Sequence, residues 1–266
     1  MRRVARILLL LFVSLAGLTL SSCVGQPERL FPWEESPDEP EVPIHADTLA
    51  RSTLILDFTA TWCINCPKMA SAIGLLSAAD SNVVSIAVHY LDEMQTDASM
   101  KLVSEYSVSA LPLAVVDFDP ACRTSVSSVE ALRAFRDTLA ARDPAVCTIS
   151  AVTAVEGGTI SVEAEVSFLG DGDFAVGVAL TRDGIVAAQT GATDDYVHDG
   201  VLQAFMQEGW PGDSLGRKSA GETIRKKYFW SMGEGVDPSK MNAVVYVLRQ
   251  RSDNVWAVNS VRKFSL

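Results

Sequence analysis

Apolar and polar residues follow two different patterns along the chain, and the change falls near Asp143-Pro144. Before that point, short continuous apolar runs alternate with segments whose apolar residues recur at helical spacing. Strands are predicted at 54–58, 83–89 and 113–118, and helices at 67–79, 98–106 and 128–141. Strands that alternate with helices in this way are typical of an α/β sheet.

From Cys147 onward the pattern is that of a β-rich segment. Residues 160–166 and 174–180 alternate apolar and polar side chains, and Asp171-Gly172 and Asp183-Gly184 are tight-turn signals. The remaining predictions are strands at 224–230, 243–248 and 255–261 and an irregular insertion at 201–220. Together they predict a second, all-β domain of sandwich type.

The N-terminus has the pattern of a targeting segment. Arginines precede the uncharged, mostly apolar residues 7–20, which are too few to span a membrane comfortably and suit a signal-peptide core. This run ends in Leu20-Ser21-Ser22-Cys23, which resembles a bacterial lipobox and implies cleavage before an acylated Cys23. Several acyl chains would anchor the protein durably in a membrane. The alternative is an ordinary cleaved signal followed by an incidental cysteine.

Val24 follows Cys23, and the absence of Asp at this position favours delivery to the outer membrane. Residues 24–46 are rich in proline and acidic side chains, which keep a chain extended. The predicted layout is a lipoprotein signal peptide at 1–22, a lipidated cysteine and tether at 23–50, an α/β domain at 51–146 and a β-sandwich-like domain at 147–266.

The charge balance excludes one class of partner. The chain has 22 Lys and Arg against 33 Asp and Glu, a net charge of −11, and loss of the arginines in residues 1–22 would make it more negative. An acidic surface repels phosphate backbones, so we expect no binding to nucleic acid. The sequence does not indicate an oligomeric state.

Of the five cysteines, four remain if Cys23 is lipidated. An even number suits disulfides in an exported protein, and four cysteines allow three pairings. Proximity in sequence favours Cys63–Cys66 and Cys122–Cys147. We predict that the second pair is a structural disulfide that flanks the last helix of the first domain. A second redox relay is the less favoured alternative, because neither Cys122 nor Cys147 lies in a C-x-x-C motif.

The segment Trp62-Cys63-Ile64-Asn65-Cys66 has the spacing that dithiol chemistry requires. Cys63 would lie near a helix N-terminus, where free N–H groups and the helix dipole stabilise a thiolate. Cys66 would lie one turn further on and suit the resolving role. Zinc also uses C-x-x-C, but the chain has no second such motif and no H-x₃-H pair. We therefore predict a redox site that uses no metal and no cofactor.

The strand and loop before the cysteines, residues 56–63, resemble the thioredoxin superfamily. The resemblance implies that Cys63 is the nucleophile and Cys66 the resolver, and that Asp57 is the buried acid that assists proton transfer at Cys66. It also implies that Pro112, in the Leu111-Pro112 step, is the cis-proline that helps to bind the substrate. Trp62 would cover the site with a flat apolar surface.

The sequence departs from the thioredoxin pattern at three places. Ile64-Asn65 replaces the Gly-Pro of thioredoxins, so their redox potential cannot be transferred to this chain. Val88 or His89 stands where thioredoxin has a partner lysine. The segment after Phe118 is short, so we expect the last edge strand to be reduced or missing.

A second resemblance covers nearly the whole chain beyond the signal. The lipobox, residues 58–67, residues 178–186 and the run Asp195-Tyr196-Val197-His198-Asp199 look like the outer-membrane lipoprotein family named for its twenty-eight-kilodalton founding member. This resemblance implies a thioredoxin-like half followed by a β-sandwich half. It adds little about activity. His198 is interpreted as a histidine held only by hydrogen bonds in a β-domain loop.

Two functions are compatible with these features. The first is a lipid-anchored thiol–disulfide oxidoreductase outside the cytoplasm, whose partners are the thiols or disulfides of exported proteins and whose lipidated Cys23 holds it to the membrane. The second is a non-catalytic surface binding or adhesion lipoprotein of the outer membrane, in which Cys63–Cys66 is a static bond on a thioredoxin-like scaffold.

Overall fold

A computed structural model describes residues 49–192 and 195–266. The helices are α1 (Cys66–Ala79), α2 (Asp97–Glu105) and α3 (Val129–Arg142). The strands are β1 (Thr53–Thr59), β2 (Val83–His89), β3 (Leu113–Val116), β4 (Arg123–Thr124), β5 (Cys147–Glu156), β6 (Thr159–Phe168), β7 (Gly172–Arg182), β8 (Ile185–Ala187), β9 (Tyr196–His198), β10 (Val201–Phe205), β11 (Asp213–Lys218), β12 (Thr223–Ser231), β13 (Met241–Gln250) and β14 (Trp256–Ser265). The signal segment, Cys23 and most of the predicted tether lie outside the described residues. Within the described ranges, no helix combines the length and apolar character that a membrane crossing requires.

The first half has the thioredoxin-like arrangement that the sequence predicts. Strand β1 is central and pairs in parallel with β2 and antiparallel with β3, which carries the two-residue edge strand β4. Because side chains alternate along a strand, β1 presents Ile55 and Asp57 to the side of α1 and α3, whereas Leu54 and Leu56 face α2. The edge strand β4 has only two residues, which confirms the expectation of a reduced edge strand.

The second half continues the sheet of the first half and adds a separate layer to it. The strand order is β14-β13-β7-β10-β2-β1-β3-β4, and the junction is the parallel pairing of Val201 in β10 with Ala87 in β2. The three-stranded sheet β12-β6-β5 packs against one face of β7 and β13, as in a sandwich. The fold class is confirmed as a thioredoxin-like α/β region followed by a β-rich region.

Strands β7 and β13 contribute to both hydrophobic cores. On one face, Ala179 and Tyr246 pack in the same cluster as Phe58 of β1. On the other face, Val178 and Val245 pack in the cluster that the three-stranded sheet covers. The boundary at 146/147 stays a prediction, because these shared strands join the regions on either side of it.

The prediction of an irregular insertion at 201–220 was wrong. It contains β10, which pairs with β7 and β2, and β11, which pairs with β7. Both pairings shift register, between Leu202 and Ala204 and between Ser214 and Gly216. A bulge breaks the two-residue alternation, so the pattern along the sequence did not indicate these strands.

The predicted Cys122–Cys147 disulfide was also wrong, because both cysteines are free and buried. Cys122 packs with Val116 and Leu139. Cys147 is the first residue of β5 and lies in the core beneath the three-stranded sheet. Burial raises the pKa of the Cys122 thiol to about 11 and that of the Cys147 thiol to about 12. Each thiol is therefore protonated and unreactive at neutral pH.

Candidate functional site

The Cys63–Cys66 pair lies in the loop between β1 and α1, and the two cysteines are bonded as predicted. The S–S distance is 2.08 Å and the Cα atoms are 5.4 Å apart. Cys63 is 5% exposed and Cys66 is 1% exposed. Cys63 is therefore the more accessible of the two residues, although both are buried.

The start of α1 favours a thiolate at Cys63. Asn65 occupies the N-cap, where its side chain accepts from Lys68 Nζ and not from a helix N–H, and the first turn has no acidic residue. Pro67 in that turn has no N–H to satisfy. The N–H groups of Cys66 and Lys68 donate to the carbonyl oxygens of Cys63 and Asn65, so the helix dipole is what favours a negative sulfur here, and no anion in the first turn competes with it.

Asp57 is a buried carboxyl on the α1 side of the sheet, and it lines the same cleft as Cys66. Burial raises the pKa of Asp57 from its ordinary value to about 7. Its Oδ1 atom has no hydrogen-bond partner among the described residues. An acid with a pKa near neutrality is suited to exchange protons with a neighbouring group.

Leu111 and Pro112 lie where the resemblance to thioredoxins places them. The Leu111–Pro112 peptide is cis, and Leu111 packs against a cluster formed by Ala60, Cys63 and Cys66. The start of β3 is therefore next to the disulfide.

Trp62 is half exposed beside the disulfide. Its indole Nε1 donates to the carbonyl oxygens of Tyr90 and Leu91, at 3.2 and 3.1 Å. These bonds fix the ring at the edge of the site, where its flat apolar surface faces solvent.

A short segment of the second half, residues 189–191, crosses the cysteine loop; we refer to it as the strap. The buried Gln189 side chain donates to the carbonyl oxygens of Ala60 and Cys63, at 3.2 and 3.0 Å. The Thr190 N–H donates to the carbonyl of Thr61 at 2.8 Å. At Gly191, with φ +85°, a Cβ atom would lie 2.6 Å from the carbonyl oxygen of Ile64, so only glycine permits this approach.

Two histidines from the two halves of the chain pack together beside this site. The rings of His89 in β2 and His198 in β9 are edge to face, with their centroids 5.2 Å apart. His89 Nδ1 is 2.7 Å from Asp92 Oδ2, which also accepts from the Thr61 N–H of the cysteine loop at 2.9 Å. His198 also contacts Tyr196, with centroids 4.8 Å apart.

Asp92 links the histidine pair to the cysteine loop through its hydrogen bonds with His89 and Thr61. Burial alone would raise its pKa, but the hydrogen bond and charge of His89 and the two backbone N–H donors outweigh burial and lower it. Asp92 is therefore ionised at neutral pH.

Asp57, Cys66, His89, Tyr196 and His198 line a single cleft of about 390 Å³. The interpretation of His198 as a loop histidine without a role in the site missed this association. The only local signal was the two-residue spacing of Tyr196 and His198, which places both side chains on one face of a strand. Within the described ranges, no group of three or more His, Cys, Asp and Glu side chains is placed to hold a metal ion.

Comparison with known proteins gives two family matches. The model described as outer membrane protein Omp28 matches residues 99–264, and the thioredoxin model matches residues 44–135. The two matches overlap over residues 99–135, so the Omp28 match begins inside the thioredoxin-like half. Among curated proteins, no sequence matches this chain.

One solved structure shares the overall fold of this chain. HBP35 of Porphyromonas gingivalis is similar with a TM-score of 0.67 and 15% identity, over 81% of this chain and 75% of that one. Spo0M of Bacillus subtilis, a sporulation control protein, is similar with a TM-score of only 0.29 and 10% identity, over 45% of this chain and 49% of that one. At this identity, the likeness to HBP35 shows the fold alone, and the likeness to Spo0M carries no argument.

Proposed function

We propose, from the premise that this chain belongs to the Omp28 family of outer membrane proteins, that it is a thiol–disulfide oxidoreductase acting on exported proteins. The observation that carries the proposal is one constellation: the Cys63–Cys66 bond before α1, the buried Asp57 behind it and Leu111-Pro112 beside it. Each part has a task in disulfide exchange, and a static bond needs none of the others.

The exchange proceeds in two steps, each of which is an attack by a thiolate on a disulfide. A client thiolate attacks the Cys63 sulfur, the Cys63–Cys66 bond breaks, and Cys66 leaves with the electron pair and takes up a proton that Asp57 supplies. A second client thiolate then attacks the client sulfur of the mixed disulfide and releases Cys63 as a thiolate. The client dithiol is oxidised by two electrons and the cysteine pair is reduced by two. A disulfide of another protein or small molecule restores the pair by the reverse exchange.

Exposed apolar side chains around the disulfide support a polypeptide client. Trp62 is 50% exposed, Ile64 63% and Leu91 62%, although each lies next to the buried cysteine loop. Val186 of β8 is 64% exposed and lines a groove of about 560 Å³ with Trp62 and Leu91. Such a concentration of exposed apolar surface is typical of a binding site, and it would hold the extended segment around a client cysteine.

Lipidation of Cys23 is part of this proposal. The lipobox motif supports it, and acylation there would hold the exchange site at the outer membrane on a proline-rich, acidic tether. Incorporation of labelled palmitate into the natural protein, and its loss in Cys23→Ala, would test this part separately.

Trapping of mixed disulfides tests the activity. In Cys66→Ser, the resolving thiol is absent, so a client that reacts with Cys63 stays bound and should appear as a higher-mass adduct that dithiothreitol releases. The matched control is Cys63→Ser, which keeps Cys66 at 1% exposure and should trap far less. Adducts at equal, background level in both variants, together with no reduction of insulin by the wild-type protein, would refute the proposal.

The burial of Cys63 favours a second function, in which the disulfide is structural. Because Cys63 is 5% exposed and its carbonyl is held by the strap, the bond has the surroundings of a structural disulfide. In that case the chain would be a surface binding or adhesion lipoprotein with a thioredoxin-like scaffold. Double Cys→Ala substitution at positions 63 and 66 would then lower the melting temperature and leave binding to cells or matrix unchanged.

A further inference from the structure

Three buried polar atoms that lack a partner among the described residues belong to residues of one cleft. They are Asp57 Oδ1, His89 Nε2 and His198 Nε2. Asp57 is 5% exposed, His89 1% and His198 6%. Buried polar atoms are usually hydrogen-bonded, and each exception requires an explanation. Three exceptions around the cleft behind Cys66 indicate that this cleft has a chemical role.

The sheet register explains why these side chains share a face. Asp57 of β1 lies opposite Ala87 of β2, and His89 is two residues further along β2, so Asp57 and His89 point to the same side. The second half brings His198 to that side through β9, which follows the strap and pairs with β8. Tyr196 lies two residues before His198 and so faces the same way.

The hydrogen bonds of the rings leave both Nε2 atoms as acceptors when the rings are neutral. His89 donates a hydrogen bond from Nδ1 to the Asp92 carboxylate, and His198 is hydrogen-bonded to the backbone of Ala187. Burial and then the neighbouring His89 ring lower the pKa of His198, so its ring is neutral at pH 7. Asp92 and Asp199 oppose this shift, and the remaining titratable groups of the cleft are Asp57, Tyr196 and, in the reduced protein, Cys66.

We propose that His198, together with His89 and Tyr196, carries protons between Asp57 and solvent, so that the second half of the chain completes the exchange site. The inference rests on the proposed oxidoreductase function and assigns a task within it to the β-rich half. In this proposal, these residues act through Asp57. A water that entered the cleft would need two to four polar partners, and Asp57, His89 and His198 each line the cleft and have an unpartnered polar atom.

The proton path is clearest for the step in which Cys66 resolves a mixed disulfide. The Cys66 thiol gives its proton to the Asp57 carboxylate, and its sulfur attacks Cys63. The bond between Cys63 and the partner sulfur breaks, and the partner leaves as a thiolate with the electron pair. The proton on Asp57 then passes to Nε2 of His198 and from there to solvent, which restores the Asp57 carboxylate.

The test is the rate at which Cys66 releases glutathione from a preformed Cys63–glutathione mixed disulfide, measured from pH 5.5 to 9. We expect His198→Gln to slow release about tenfold or more near pH 7, because general acid–base groups contribute such factors. The pH profile should also move to higher pH, because hydroxide then replaces the lost relay. His89→Gln and Tyr196→Phe should change the profile in the same direction.

Imidazole rescue separates proton transfer from a structural role. In His198→Ala, added imidazole should restore the release rate in proportion to its neutral form, whereas a damaged fold would not respond. Val126→Thr is the control, because Val126 is 61% exposed and does not line this cleft, and it should leave rate and profile unchanged.

The outcomes distinguish failure of the proton relay from failure of the proposed oxidoreductase function. If the wild-type protein forms and releases the mixed disulfide, but the histidine variants keep its pH profile and imidazole has no effect, this inference is overturned and the proposed function stands. If the wild-type pair neither forms nor resolves the mixed disulfide, the proposed function fails and the inference fails with it.

Discussion

Gln189 of the β-rich half donates a side-chain hydrogen bond to the carbonyl oxygen of Cys63, 3.0 Å away. The two residues are 126 positions apart in the chain. The cysteine loop of this protein is thus held by the region that follows the thioredoxin-like half, and access to the disulfide depends on both.

Gln189→Ala should open the site. The substitution leaves the buried carbonyls of Ala60 and Cys63 without this donor, so we expect a loss of about 1–3 kcal/mol in the free energy of unfolding. We also expect iodoacetamide to alkylate Cys63 of the reduced protein several-fold faster. Gln203→Ala is the matched control, because Gln203 donates to Val201 within its own strand and not to the cysteine loop. Equal alkylation rates in the two variants would mean that the strap does not restrict Cys63.

Gly191→Ala tests the close approach of the strap to Ile64. Gly191 and Gly184 both have positive φ, +85° and +70°, but an added Cβ meets the Ile64 carbonyl at 2.6 Å only at position 191. Each alanine should cost about 1–2 kcal/mol for the left-handed conformation. Gly191→Ala should cost more and should also change the reduction rate of the disulfide by dithiothreitol, whereas Gly184→Ala should not. Equal melting temperatures and reduction rates for the two variants would contradict this account.

Asp57→Asn should remove a specific pH dependence of stability. The native pKa of about 7 lies above the ordinary value of 3.8, so the native state holds this proton more tightly than the unfolded state. The stabilisation from the proton is therefore complete below about pH 4 and is lost as the pH rises to about 7. At about 1.4 kcal/mol per pKa unit, the change is on the order of 4 kcal/mol.

Urea unfolding of the wild type and Asp57→Asn at intervals from pH 4 to 8 measures this difference. Asp117 and Asp92 have shifted pKa values in both proteins, so their contributions cancel in the comparison. Parallel stability curves would show that Asp57 is ionised in the native protein throughout. Resolution of the mixed disulfide should also be slower in the variant, since asparagine accepts no proton.

Arg51 should be needed for the two halves to hold together. Its guanidinium is paired with the buried Asp117 and donates to the carbonyl oxygen of Val258 in β14 at 2.7 Å. Arg51→Met leaves the Asp117 carboxylate buried and unpaired, which should cost about 3–5 kcal/mol. Adding Asp117→Asn should recover part of that loss.

A surface pair provides the control for Arg51. Arg136 and Asp80 form an ion pair with side chains that are 21% and 26% exposed, so Arg136→Met should cost about 1 kcal/mol or less. Similar losses for Arg51→Met and Arg136→Met in urea unfolding would show that the buried pair does not join the halves.

The parts of the fold that the sequence predicted are those encoded locally. Strand β2 was predicted with its observed bounds, Val83–His89, because a continuous apolar run lies between turn signals. The Cys63–Cys66 pairing followed from proximity in sequence, and the positions of Asp57 and Leu111-Pro112 followed from the resemblance to thioredoxins in short motifs around β1 and β3. In each case the residues that determine the feature are close together in the chain.

The parts that the sequence did not predict depend on distant pairing. The parallel contact of Val201 with Ala87 places the second half beside β2, and no local pattern records such a contact. The same contact accounts for the association of His198 with His89. For Cys122 and Cys147, nearness in sequence was a poor guide, because the two thiols pack in different clusters.

The central claim is that the Cys63–Cys66 bond exchanges with client thiols, and its reduction potential tests this most directly. The measurement would use a soluble form that lacks residues 1–23, with Cys122→Ala and Cys147→Ala to leave one redox pair, equilibrated against glutathione or dithiothreitol buffers. We predict a value within the range of thioredoxin-type proteins, roughly −270 to −120 mV. A value below about −300 mV, typical of structural disulfides, would contradict the claim and favour a static bond.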